Sequence, residues 1–217
     1  MSFFENVMLL VKQRKRVLLT VLVYYFIYYF FIFQTAHLLL EEGFFERLIL
    51  SVFVDGFLFL FPAILLVKSC LNKQMLPMEW PDLYGCMIFI GLYLVSLLLG
   101  LLLNLTVNLI LLRMADHILV DGFMPDVLYE VINAFFKVVV LGLFFWLPLS
   151  FIDQKPLKLQ RGFGSFKPYY MLSFSVVFLS FSFVLPYANY FYCLVVLGQI
   201  TALTVIYKIG LKRPNKD

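Results

Sequence analysis

Glu130, Asn133 and Lys137 recur at i, i+3 and i+7 within one apolar stretch, which lines a single helix face with a carboxylate, an amide and an ammonium. Asn104 and Asn108, four residues apart, mark a second such face, and Asp55 and Gln199 stand in two further apolar stretches. In surroundings without water, groups of this kind can hold an ion or the polar part of a lipid-like solute. They can equally form a satisfied ion pair that only fixes helix register. The expected polar cluster is Asp55, Asn104, Asn108, Glu130, Asn133, Lys137 and Gln199, with Lys137 paired to Asp55 or Glu130.

Other constellations lead to less chemistry. His37 and Glu41 are four apart, and Asp116, His117 and Asp121 fall in one connection; imidazole and carboxylate are common ligands of divalent cations. Neither group has a diagnostic motif, so they read as a solvated acidic rim, and no metal or cofactor is expected. Leu40-Glu41-Glu42-Gly43-Phe44-Phe45-Glu46-Arg47 is similar to the double-glutamate motif of CAAX-processing intramembrane proteases. That motif leaves three residues before the arginine where this chain has four, and it needs histidines inside later spans, whereas His117 lies in a connection. Protease chemistry is therefore rejected. With no nucleophile beside a base and no phosphate loop, the chain is not expected to be an enzyme. Cys70, Cys86 and Cys193 lie in or beside apolar stretches without metal spacing and read as packing residues. Ser173, Ser175, Ser180 and Ser182 form two i, i+7 pairs, a small-residue surface suited to close helix packing.

The elements that must position these residues are set by composition. The 217-residue chain is 63% hydrophobic and 14% charged, with a mean hydropathy of +0.96. That is far from a soluble domain, in which roughly a quarter of residues are charged. A helix needs about 20 apolar residues to cross a hydrocarbon layer. Six stretches qualify, near 17–40, 45–67, 84–112, 127–152, 169–187 and 189–209. The expected fold is an all-α polytopic bundle of six transmembrane helices in a single domain, the last two joined by a tight turn at Pro186–Asn189. Fourteen of the 17 basic residues lie on alternate connections. Because positive residues are retained on the cytoplasmic side, both termini are expected to be cytoplasmic. Counting from the opposite boundary then puts Lys137 roughly 15 Å deep, near the midplane.

Residues 1–16 form a basic amphipathic start, either a helix lying in the cytoplasmic interface or an extension of the first span. The first span is too long, and lacks the small-residue site, for a cleaved signal peptide. The net charge of +4 is spread over separate segments with no aromatic platform, so no nucleic-acid partner is expected. The 26 Phe and 13 Tyr against 11 Gly disfavour a bundle that rocks, and suggest broad lipid contact or docking to another membrane protein.

The stretch 153–167, DQKPLKLQRGFGSFK, followed by a final hairpin, resembles the corresponding loop of bacterial YciC-like six-span inner-membrane proteins, and Leu50–Lys73 resembles their earlier portion. The resemblance covers about half the chain and implies architecture without site residues. Span number, termini and the basic start are also similar to permease subunits of ABC-2 type exporters. The expectation is a non-enzymatic accessory, assembly or immunity-type subunit of a complex in a bacterial cytoplasmic membrane. The alternatives are a small permease working through Lys137 and Asp55, and a eukaryotic internal membrane as location.

Overall fold

The computed structural model describes residues 3–27, 59–74, 76–114 and 123–212; the side chains of 59, 111–114, 123–127, 129–130 and 180–193 are outside the description. Every regular element among the described residues is helical. In chain order these are α1 (Phe3–Gln13), α2 (Lys15–Ile27), α3 (Phe59–Cys70), α4 (Trp80–Met114), α5 (Phe123–Phe144), α6 (Trp146–Ile152), α7 (Leu159–Phe166) and α8 (Tyr170–Leu211). Helix is the dictated solution for these sequences, since a long apolar segment in hydrocarbon must satisfy every backbone group within itself.

Two described helices are long and apolar enough to cross a membrane, Trp80–Ile110 and Leu194–Leu211. A third counts if Val131–Phe144 and Trp146–Ile152, bent by 45°, act as one span. Much of the expected first and second spans, with Asp55, lies outside the described residues.

Three expectations are corrected. The stretch expected as one span over 127–152 is broken at Phe145 into α5 and α6. Pro148 has no N–H to give the Phe144 carbonyl and its ring crowds that group, which places the bend one turn ahead of the proline. The stretch expected as a loop over 153–167 contains α7, which buries Gly162 and Phe166 and exposes Arg161. The tight turn expected at Pro186–Asn189 takes helical rather than open backbone within α8. Proline removes one backbone donor, a loss that a span within a bundle tolerates. A straight helix of that length would nonetheless measure roughly 63 Å, whereas Phe166, just ahead of α8, stacks on Tyr207 near its end with centroids 5.7 Å apart. The axis of α8 therefore reverses between its two limbs.

α4 runs antiparallel to α5 and α6: Gly85 faces Ile152 and Pro148, while Gly100 faces Asn133. The N-terminal limb of α8 meets α5 where the Ser173 hydroxyl donates to the Gly142 carbonyl at 2.7 Å. The C-terminal limb packs with α2 and α3 through Leu197, Val205, Tyr25, Leu66 and Cys70. α1 is separated from α2 by Arg14 and places Phe3, Val7 and Leu10 against the bundle.

The packing centre is aromatic. Trp146 is fully buried, lies parallel to Phe166 with centroids 6.1 Å apart, and meets Phe163 edge-on at 5.8 Å. Gly162 sits beneath the Trp146 ring, so a Cβ there would collide with it, whereas a Cβ at Gly164 would meet nothing. Gly162→Ala should lower stability in detergent by about 1–3 kcal/mol, the range for overpacking a core. Gly164→Ala should be neutral or stabilising, since alanine is the better helix former. Equal thermal midpoints for the two variants would contradict this packing.

Candidate functional site

The densest arrangement of charged and polar side chains lies where α3 and α6 end and α4 begins. α3 closes with paired bonds, Lys73 N–H to Lys68 O and Asn72 N–H to Ser69 O, with Asn72 in the left-handed region at φ 60°. α6 closes identically, with Lys155 N–H to Ser150 O, Gln154 N–H to Phe151 O, and Gln154 at φ 58°. Both are Schellman caps. Each left-handed residue also uses its side chain. Asn72 Oδ1 accepts from Arg14 at 2.6 Å, and Gln154 Nε2 donates to Glu79. A lysine follows each cap, where the negative end of a helix dipole favours a cation.

Between these caps lies a dry ion pair. Lys68 Nζ is 2.7 Å from Asp82 Oδ2, with the side chains 5% and 1% exposed. Lys68 also donates to Pro77 O at 3.1 Å, and Asp82 Oδ2 accepts the Glu79 N–H at 2.9 Å. Asp82 occupies the third position of α4, so its charge also complements the positive helix start. Asp82 Oδ1 is buried without a hydrogen-bond partner.

A second acid, Asp153, lies between two lysines, Lys155 at 3.4 Å and Lys73 at 3.9 Å, and accepts from the Tyr207 hydroxyl at 3.4 Å. Lys73 donates to Ile152 O at 3.0 Å, tying the end of α3 to the end of α6. Burial pulls the Lys73 ammonium below the ordinary lysine range, and Asp153 works against that shift. Lys208 donates to Cys70 O at 3.0 Å, which brings in the end of α8. The arrangement joins the ends of α3, α6 and α8.

Of the polar cluster expected from spacing, Asn133 and Lys137 fall along the α4–α5 contact, against Gly100 and Tyr93 of α4. Asn133 is 6% exposed, faces the Gly100 backbone, and its Oδ1 has no hydrogen-bond partner. Lys137 Nζ lies over the Tyr93 ring, 5.5 Å from its centroid, a cation–π contact. Asn104 and Asn108 are half-buried on α4, and Gln199 is half-buried on the limb of α8 that packs with α2 and α3. Asp55 and the Glu130 side chain lie outside the described residues, as do His37, Glu41, Asp116, His117 and Asp121. Among the described residues no three His, Cys, Asp or Glu side chains group as metal ligands.

Asp82 and Asp153 were missed because attention to charges deep within spans passes over charges at span ends. The signal was present: Pro81 and Asp82 in the first turn mark a helix start, and they follow a basic turn closely. No family model matches this chain, and no curated protein or solved structure is significantly similar to it.

Removing one partner of a buried pair leaves an uncompensated charge. Asp82→Asn should destabilise the protein by about 3–5 kcal/mol, and Lys68→Met with Asp82→Leu together should cost less than Asp82→Asn alone. Reversible unfolding in mixed micelles measures both. A double variant worse than the single would mean that the pair does not behave as a buried ion pair.

Proposed function

We propose that this chain is a six-span protein of a bacterial cytoplasmic membrane, with both termini cytoplasmic, that serves as a non-enzymatic accessory, assembly or immunity-type subunit of a membrane complex. The observation that carries the reading is α4. Of the two described helices long and apolar enough to cross a membrane it is the more apolar, yet only 11% of its most apolar window is buried within the chain. Leu94, Leu98, Leu101 and Leu105 form a continuous outward stripe, and the half-buried amides Asn104 and Asn108 lie on the same helix. Amides in hydrocarbon favour a neighbouring helix over lipid. The orientation is supported by the meeting of the basic connections: Arg14, Lys68, Lys73, Lys155 and Lys208 gather at one end of the bundle. The YciC-like resemblance fits the same architecture.

Lipid accommodates added bulk, whereas a packed helix interface does not. Leu98→Trp with Leu105→Trp should therefore reduce co-purification of a stoichiometric membrane partner at least about tenfold while leaving expression and thermal stability unchanged. Recovery from native membranes as a lone monomer would sink the subunit reading.

A permease reading is favoured by one observation: the unpartnered Asn133 oxygen lies one turn from Lys137 inside the membrane region. On that reading Lys137→Ala lowers proteoliposome flux of the transported ion or lipid-like solute at least about tenfold, as loss of a binding charge should. Flux that Lys137→Ala and Asp55→Asn both leave intact rules it out.

A further inference from the structure

The junction of α1 and α2 forms a shallow pocket of about 270 Å³ lined by Lys12, Gln13, Arg14, Lys15, Arg16 and Val17. Four of these six residues are cationic and none is acidic. Among the described residues no carboxylate pairs with Lys12, Lys15 or Arg16. Arg14 uses part of its guanidinium on Asn72, which anchors the pocket to the α3 cap and leaves other N–H donors for a ligand.

Outward apolar rows leave this pocket along both helices. On α1, Phe4, Met8 and Val11 repeat at i, i+4 and i+7 and are exposed, on a face distinct from the one that Phe3, Val7 and Leu10 turn to the bundle. On α2, Leu19, Val23 and Phe26 repeat at the same spacing and are 62%, 50% and 56% exposed. A cationic pocket continuing into an apolar track has the polarity of a phospholipid. We propose that the α1–α2 junction binds an anionic phospholipid, with Lys12, Arg14, Lys15 and Arg16 on the headgroup phosphate and the Leu19–Val23–Phe26 row beneath an acyl chain. The charge complementarity selects an anionic lipid. The apolar row selects a lipid over free phosphate. The proposal rests on the membrane location and is independent of whether the protein is a subunit or a permease.

The test is native mass spectrometry of the full-length protein in detergent, titrated with phosphatidylglycerol or phosphatidylcholine. Wild-type protein should retain phosphatidylglycerol in preference to phosphatidylcholine. Lys12→Gln, Lys15→Gln and Arg16→Gln combined should weaken phosphatidylglycerol by roughly 100-fold, about fivefold per charge removed, with no change for phosphatidylcholine. Arg14 is kept so that its bond to Asn72 survives, and an unchanged thermal midpoint confirms folding. Three results would each overturn the proposal. One is equal retention of the two lipids. The second is an equal loss from the control Lys155→Gln, Lys158→Gln and Arg161→Gln, which would mean charge without a site. The third is displacement of the lipid by inorganic phosphate, which would assign the pocket to the free anion.

Discussion

The Lys68–Asp82 pair is the constraint on which the rest of the bundle depends. A lysine and an aspartate both almost completely removed from water are tolerable only while they stay together. That requirement holds the last turn of α3 against the first turn of α4, although an irregular connection separates them. It also fixes the position of the Glu79 amide and the Pro77 carbonyl, which complete the bonding of the two charges. With α4 located, α5 and α6 follow, because Gly85 and Gly100 let them approach its backbone.

The same end of the molecule gathers the remaining helix ends by backbone carbonyls as much as by charge. Lys73 reaches the last carbonyl of α6 and Lys208 that of α3. In each case an ammonium satisfies an acceptor that a finished helix leaves without a partner. Asn72 and Gln154, the two residues in left-handed conformation, serve twice. Their backbones end α3 and α6, and their side chains reach Arg14 and Glu79. The aromatic stack of Trp146, Phe166 and Tyr207 lies beside this polar layer, and Tyr207 links the two through Asp153. Most of the described polar contacts between helices are thereby concentrated at the basic end.

Deeper in the bundle the polar residues are less committed. Asn133 is sealed against Gly100 with an oxygen that bonds to nothing, and Lys137 meets the face of a tyrosine. The serines of α8 are largely accounted for where they are described. Ser173 bonds to Gly142 across the helix contact and Ser175 to its own helix, so these hydroxyls serve packing and backbone.

Hydropathy alone determined that the chain is helical and suited to a membrane, because a run of about 20 apolar residues admits almost no other structure in hydrocarbon. The i, i+3, i+7 spacing correctly put Asn133 and Lys137 on a helix, and the alternating basic connections are the ones that meet at one end. Pairing was not legible. Nothing in a single sequence relates Lys68 to Asp82, Lys73 to Ile152 or Tyr207 to Asp153, since these depend on which helix ends become neighbours. Pro148 stands near the end of the expected span, yet it bends that span. Pro186–Asn189 suggested a tight turn between antiparallel limbs, and α8 does reverse its axis, in helical rather than open backbone. Local chemistry sets what each segment can form; only the packed bundle decides which charges lose their water, and therefore which must find each other.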